Sequence, residues 1–565
     1  MSKRVYIGLF VLIFAIFLGL AYNVTRSMSP TYDEQNHLTR GIAILKTGDF
    51  RLSLHHPPLP NVLNALPVMI GSEYWWNDKS DDFTEKVDSF NPESEEFLNI
   101  WTAASEVLYE NQTPALGIKA IKASRVMTLL FALLAGVIIF LWAKELFGPL
   151  GGIISATIFL FDPNVIAHAT VTTTDMAAVA TILLAVYLLR KYIQSPSAKT
   201  LIFCGIAVGM AFLCKFSSLI LLPIFGLILL FNIHGEKISK RLFNALVSGI
   251  LMLFVAGVVL FVGYGFKVEK FAAKPGDSFS QQYEGKGNLP VPAKQYLRGL
   301  KTLTGEADGH KAYLNGVSDD TGKGWWYYFP ATFVYKTNWV ALALILITIV
   351  LFALPTCREK VHLSKDEALF LGIPILIYLL AGFGLLGISL NLGVRHLLPI
   401  YPFIYIFVGA VGKAIDFHDV KGKIIVLLVM LSYGMIIATN HPNYLSYFNI
   451  SNADRYLIDS NFDWGQDIEK MTNINTEGLP LYFSYFGTTT PVSARLECYY
   501  MPGMGVMTSV NMQQEIKKPS FFAISATCLR GGEVYTGVNH EKFLRENSAE
   551  FVQMVGKTIY LYKIP

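Results

Sequence analysis

Seven side chains combine charge or a titratable ring with an unusual setting: Asp33 and Glu34, His55 and His56 ahead of Pro57-Pro58-Leu59, Asp175, Lys215 and Arg395. Each stands at or near the end of an apolar run, where a buried charge is costly unless it is paired or put to use. A carboxylate there could take the proton from an acceptor hydroxyl as its oxygen attacks an electrophilic carbon. Asp33 is the first choice for that base, and Glu34 or Asp175 could position the acceptor or a divalent cation. Cations at head-group depth suit a phosphate carried on a lipid, and Lys215, Arg395 and His56 fill that description.

Each residue also has a plainer reading. A single carboxylate beyond a span is usually a helix cap, and Asp33 could be one. Thr172 to Thr174 could cap the helix that Asp175 enters, where an acidic first turn is favoured by the dipole. Lys215 and Arg395 could snorkel to the interface, and His56-Pro57-Pro58 could be a rigid turn. Their convergence on one side of a membrane is what favours chemistry.

That side follows from the elements that position them. Of the 565 residues 53% are hydrophobic and only 16% charged, and the mean hydropathy is +0.42, which places the chain in a bilayer. A formal net charge of +4, with no basic tract interleaved with aromatics, argues against nucleic acid as a partner. About eleven apolar runs approach the ~20 residues that a bilayer core needs. They lie near Tyr6–Ala21, Val126–Trp142, Leu150–Phe161, Met176–Leu189, Leu201–Leu213, Leu219–Phe231, Phe243–Val262, Trp339–Leu354, Leu369–Leu390, Leu397–Val411 and Ile424–Ala438. With the N-terminus in the cytoplasm, Lys144, Arg190, Lys191, Lys199, Lys237, Lys240, Arg241, Arg358, Lys360, Lys365, Lys413, Lys421 and Lys423 all fall inside. Residues 22–125, 266–335 and the tail beyond 439 then lie outside, with all seven candidate residues on the outer side.

The first outer segment has amphipathic stretches around Asn36–Leu45 and Leu59–Ile70, expected to lie along the membrane surface. Strand-like runs at Leu481–Phe486, Phe521–Ala526 and Thr558–Tyr562, with helical patterns near Asp467 and Glu541, predict a small α/β domain over residues 440–565. The membrane domain is then 1–439. Gly324-Trp-Trp-Tyr-Tyr-Phe-Pro330 could belong to a lid over the outer cavity or to an aromatic belt. Cys498 and Cys528 share the tail and could pair in an oxidising compartment. No cysteine spacing suggests a structural zinc.

The order Asp33-Glu34, His56-Pro57-Pro58-Leu59, Asp175, Lys215 and Arg395-His-Leu-Leu-Pro399 resembles the polyprenyl-phosphate-dependent glycosyltransferases. These include the protein O-mannosyltransferases and the bacterial lipid A aminoarabinose transferases. The match spans roughly the first 440 residues, with the paired acids as its strongest element. It implies a polytopic α-helical membrane protein of GT-C fold and an inverting transfer of a sugar from a polyprenyl-phosphate donor to an acceptor hydroxyl. By that resemblance Asp33 is the base, Glu34 its partner and Asp175 the second acid of the outer cavity, while Lys215 and Arg395 contact the carrier phosphate. His56 stands where the aminoarabinose enzymes have Lys, and a neutral imidazole binds anions less well. Asp33 and His37, at i and i+4, could share a divalent cation, but two ligands are too few to define a metal site.

The tail departs from both named groups, and nothing between Phe266 and Lys336 is long enough to be the β-rich insert of the eukaryotic O-mannosyltransferases. The acceptor, a protein or a cell-envelope glycolipid or glycan, therefore does not carry over. Asp459-Ser-Asn-Phe-Asp-Trp-Gly-Gln466 resembles the tail of some bacterial members and suggests a bacterial inner membrane. Asn461, Asp463 and Trp464 could contact a sugar, or could equally form an Asx-turn and cap ahead of Ile468. The chief alternative is a transporter or flippase of lipid-linked saccharides, which should place ionisable residues near span midpoints, where few occur. An assembly protein whose tail binds an outside partner is the third reading.

Overall fold

The computed structural model describes residues 3–52, 54–71, 100–110, 114–232, 237–270, 290–306, 311–384, 391–415, 419–508 and 516–565. Among the described residues the apolar runs expected from the sequence fall largely on helix, because a chain in lipid satisfies its backbone groups only within itself; residues 385–390 of the run at Leu369–Leu390 lie outside the described residues. The run before the acidic pair is α1 (Lys3–Ser27). It is followed by α2 (Glu34–Thr47) and α3 (Leu59–Ile70). The two runs at Val126–Trp142 and Leu150–Phe161 lie in one long helix, α4 (Pro114–Leu160), broken at Gly148 (φ 81°) ahead of Pro149. A short helix, α5 (Pro163–Ala169), leads to α6 (Asp175–Gln194). Next come α7 (Ala198–Cys214), α8 (Leu221–Asn232) and α9 (Ile238–Gly263).

The aromatic segment becomes α10 (Tyr328–Lys336), bent by 111° against α11 (Trp339–Ala353). Then α12 (Lys365–Gly382), α13 (Tyr401–Val408) and α14 (Val420–Asn440) complete the helical part. Among the described residues five helices are long and apolar enough to cross a membrane, or up to six if the bent pair is one span. The other apolar helices are shorter. The chain is a multi-pass membrane protein.

One expectation is corrected. The stretch at Asn36–Leu45 does not offer an apolar face to the membrane surface, for residues 34–43 of α2 are all buried, and Leu38, Ile42 and Ala43 share a core with Ala65 and Val68 of α3. The polar side chains of this turn-rich region are enclosed as well, which ties α2 to the site described below.

The tail forms the α/β unit that its alternation predicts. Strands β1 (Leu481–Ser484), β2 (Tyr499–Tyr500), β3 (Ser520–Ser525), β4 (Glu550–Val555) and β5 (Ile559–Ile564) make one sheet in the order β4-β5-β3-β1-β2. Its first two pairings are antiparallel and the last two parallel. Helices Ala526–Thr536 and His540–Glu546 accompany it, the second at the predicted Glu541 pattern. The buried β1 and β3 read as continuous apolar runs, as strands covered on both faces should. Cys498 and Cys528 are separate free thiols in this fold.

Candidate active site

Asp33 ends the connection between α1 and α2 and takes the N-cap position of α2, yet its side chain makes no capping bond. Its Oδ2 instead accepts from Arg395 Nη1 at 2.9 Å. The main chain around Asp33 is held from the tail. Tyr32 N donates to Trp464 O (2.9 Å) and Ser29 N to Gln466 O (3.0 Å), while Thr488 Oγ1 donates to Tyr32 O (2.9 Å). The helix-cap reading of Asp33 therefore gives way to an ion pair with a residue 362 positions away in the sequence.

Arg395 sits in a 3-10 turn, Val394–His396. Its guanidinium carbon lies 4.9 Å from the centroid of the Trp464 ring, a cation–π contact in a largely desolvated setting. Nε of Arg395 is buried without a hydrogen-bond partner among the described residues. The preceding Gly393 has φ +102°, and a Cβ there would come within 2.4 Å of Asn461 Oδ1, so only glycine lets the turn close on Asn461. Asn461 Oδ1 accepts from Val394 N at 2.9 Å, fixing the turn in place.

A second acid–cation pair lies nearby. Asp175 opens α6, with Thr174 as an N-cap that makes no side-chain bond. Its Oδ1 accepts from Lys215 Nζ at 2.5 Å, and Thr173 Oγ1 donates to Oδ2 at 3.2 Å. Lys215 occupies the extended residue between α7 and a 3-10 turn at Phe216–Ile220, so it is paired and does not snorkel free. Asp33, Asp175 and Asp459 are the acids whose charges reach Arg395, which joins the two pairs into one cluster.

The histidines stand beside it as neutral rings. His37 and His56 lie 4.9 Å apart between centroids. His37 Nδ1–H donates to Asn61 Oδ1 at 2.9 Å, and burial, then the nearby Arg40, lowers its pKa to about 4. Burial, followed by the charges of His37, Arg40 and Lys215, holds His56 well below the usual imidazole range. His56 is thus at the site but offers a neutral hydrogen-bonding group to an anion, not a cation. Among the described residues no group of three His, Cys, Asp or Glu side chains comes together that could hold a metal ion. The Asp33 and His37 pair stays short of a metal set, since each has taken another partner.

Glu34 does not face the same way as Asp33. It is fully buried, its carboxylate accepting from Arg125 Nε (2.8 Å) and Nη2 (2.7 Å), Thr31 N (2.7 Å) and Thr172 N (2.7 Å). Both side chains of this Glu34–Arg125 pair are 0% exposed. Arg125 also donates to the carbonyls of Thr25, Met28 and Ser29. Glu34 therefore braces the loop that presents Asp33 against the Thr172 connection that leads to Asp175. Sequence reasoning missed Arg125, although an arginine one residue before the start of an apolar run is a signal that could have found it.

Asn461, Asp463 and Trp464 are enclosed, at 2%, 0% and 1% exposure. Asp463 accepts from Gly465 N (3.3 Å) and Thr527 N (2.9 Å), and Trp464 N donates to Gln466 Oε1 (2.6 Å). The side-chain oxygens of Asn461 and Asp463 accept from backbone N–H groups and the Trp464 ring lies beside the Arg395 guanidinium, so the three side chains join the tail to the membrane part. Lys336 and Asp162 also escaped the sequence reading. Lys336 Nζ donates to Leu445 O (2.9 Å) and Asn461 O (2.6 Å) and lies 4.5 Å from the Phe448 ring centroid. Asp162 accepts from Tyr405 Oη (2.8 Å), Asn164 N (2.8 Å) and Asn338 Nδ2 (3.2 Å). Both are polar braces behind the site.

Residues 115–261 match the family model described as Dolichyl-phosphate-mannose-protein mannosyltransferase. No curated protein matches. Among solved structures, ArnT from Cupriavidus metallidurans bound to undecaprenyl phosphate is 13% identical over 100% of this chain and 99% of that chain, with a TM-score of 0.42. Archaeal oligosaccharyltransferase AglB from Archaeoglobus fulgidus, in complex with an inhibitory peptide and a dolichol-phosphate, is 12% identical over 99% of this chain and 74% of that chain, with a TM-score of 0.46. The family-model match at residues 115–261 covers the segment that carries Arg125, Asp162, Asp175 and Lys215.

Proposed function

We propose that the chain is an inverting glycosyltransferase that moves a hexosyl or pentosyl unit from a polyprenyl-phosphate donor to an acceptor hydroxyl on the outer face of a bacterial inner membrane. The acceptor is a protein or a cell-envelope glycolipid or glycan. In this reading residues 1–439 form a membrane domain of eleven spans with the N-terminus in the cytoplasm, and residues 440–565 form an extracytoplasmic domain. The observation that carries it is the pairing of each candidate acid with a candidate phosphate-binding cation: Asp33 with Arg395 and Asp175 with Lys215.

The chemistry follows from that pairing. A lipid phosphate at the head-group level competes for Arg395 and Lys215, whose remaining donors include the unpartnered Arg395 Nε. Asp33, relieved of its guanidinium partner, has both carboxylate oxygens free to meet the acceptor. It takes the acceptor hydroxyl proton as that oxygen bonds to the anomeric carbon from the face opposite the phosphate. The bond from the anomeric carbon to the phosphate oxygen breaks with its electron pair, and the charge gathered on the leaving phosphate is held by Arg395 and Lys215. His56 contributes a neutral hydrogen bond. No step is routed through a metal.

Transfer of a radiolabelled sugar from a panel of polyprenyl-phosphate sugars, by protein purified into lipid, tests the reading. Wild-type protein should transfer from at least one donor, and folded Asp33→Asn protein should not. Full transfer by Asp33→Asn removes the base assignment. No transfer from any donor, with saccharide crossing the bilayer instead, moves the chain to the transporter class.

A further inference from the structure

A narrow cleft opens between the outer segment and the tail, lined by Tyr313, Tyr328, Asn391, Asp459, Asn461 and Tyr535 among others. Its enclosed volume is about 10 Å³, room for roughly one hydroxyl or water. Two of its polar groups are not used up by the fold. Asn391 is buried, and its Nδ2 has no hydrogen-bond partner among the described residues. The Asp459 carboxylate accepts from its neighbour Ser460 N and from no other donor among the described residues.

Asp459 is also held in an unusual backbone conformation, with φ +57°. A non-glycine residue in the left-handed region persists only where surrounding structure enforces it, and such residues gather at functional sites. The enforcement is visible. Asp459 N donates to Thr527 Oγ1 (3.0 Å), Ser460 Oγ donates to Leu392 O (3.0 Å), and Asn461 Oδ1 holds Val394 N (2.9 Å). The turn that carries Asp459 is thereby bolted to the turn that carries Arg395. Arg395 and Asp33 are the charged groups whose fields reach the Asp459 carboxylate.

We propose, building on the glycosyltransferase reading, that this cleft is an acceptor subsite for a neutral saccharide, with Asp459 and Asn391 as its specificity-determining residues. A single hydroxyl group enters the cleft. Asp459 accepts from it and Asn391 Nδ2 donates to it, with the buried Tyr313 and Tyr535 closing the cleft beside them. The neighbouring hydroxyl of the same sugar is then directed towards Asp33. A one-hydroxyl space between a carboxylate and an amide donor suits a polyol, whose hydroxyl donates to the first and accepts from the second at once.

Saturation-transfer NMR with methyl hexosides and their disaccharides, on the full chain in lipid nanodiscs, reads this site without requiring transfer. Wild-type protein should bind at least one saccharide, and Asp459→Asn and Asn391→Ala should each weaken it by about tenfold, the worth of one lost hydrogen bond to a charged or buried group. Both variants should retain polyprenyl phosphate as the wild type does, which also certifies their fold. Binding of no saccharide, or binding that neither variant weakens, overturns the subsite. Binding of a Ser/Thr-containing peptide in place of saccharides, weakened by the same variants, overturns its chemical class. None of these outcomes decides the Asp33→Asn transfer test, so the subsite and the glycosyltransferase reading fail separately.

Discussion

Arg395 and Asp33 stand 362 positions apart in sequence yet share a 2.9 Å ion pair, with the Trp464 ring beneath the guanidinium. Three segments therefore meet at one point: the end of the first helix, the turn before α13 and the tail. Arg395 occupies an Asp33 carboxylate oxygen, and an arriving phosphate both engages the cation and frees that oxygen. Replacing Arg395 with Lys keeps the charge but loses the planar fork. Arg395→Lys should raise the donor KM and lower kcat/KM by about 10 to 100-fold, and initial rates at varied donor concentration check it.

Removing the base leaves the binding groups in place. Asp33→Asn should lower kcat by roughly 10² to 10⁴-fold, the range for a positioned general base, with little change in donor retention. Equal loss of donor retention would mean that Asp33 acts by holding Arg395 and not by taking a proton.

The Asp175–Lys215 pair tests charge compensation. Lys215→Ala leaves a buried carboxylate without its cation and should destabilise the fold by about 3–5 kcal/mol. Asp175→Ala combined with Lys215→Ala should recover much of that loss without restoring transfer. A double-mutant cycle on thermal unfolding and on activity separates the two roles.

Glu34 and Arg125 predict a structural phenotype. Both are fully enclosed, so Arg125→Ala strands a carboxylate and should cost about 3–5 kcal/mol, lowering the unfolding temperature and the yield of folded protein. If Arg125→Ala unfolds as the wild type does and loses only transfer, Glu34 belongs to the chemistry after all.

Asp463 gives the tail a pH dependence. Burial pushes its pKa up to about 7 from an ordinary 3.8, partly opposed by the backbone N–H bonds from Thr527 and Gly465. A folded-state pKa above the unfolded one means that this stabilisation is complete below about pH 4 and is lost as pH rises through 7. Asp463→Asn loses one of the two N–H bonds at every pH but removes that slope. Unfolding temperatures of the variant between pH 4 and 8 should therefore fall less steeply than those of the wild type.

Much of this protein was legible in its residue pattern. Twenty-residue apolar runs cannot leave their backbone unsatisfied in lipid, so the helices, the acidic pair after the first of them and the strands at Leu481–Ser484, Ser520–Ser525 and Ile559–Ile564 follow from local periodicity. Asp33, Asp175, Lys215 and Arg395 stood out because charge near a span end is costly. What periodicity cannot carry is the identity of partners distant in sequence. Asp33 and Glu34 are adjacent and chemically alike, but helix geometry sends the first to Arg395 and the second inward to Arg125. The polar run at residues 459–464 could contact a sugar or cap a helix by its composition, and only the tertiary fold shows Asn461 bonded to the Arg395 turn, Asp463 to Thr527 and Gly465, and the Trp464 ring beside Arg395. Composition alone marks a residue as expensive to bury; only the assembled chain decides which opposite charge or backbone group offsets that expense, because those partners come from segments whose separation the local sequence does not encode.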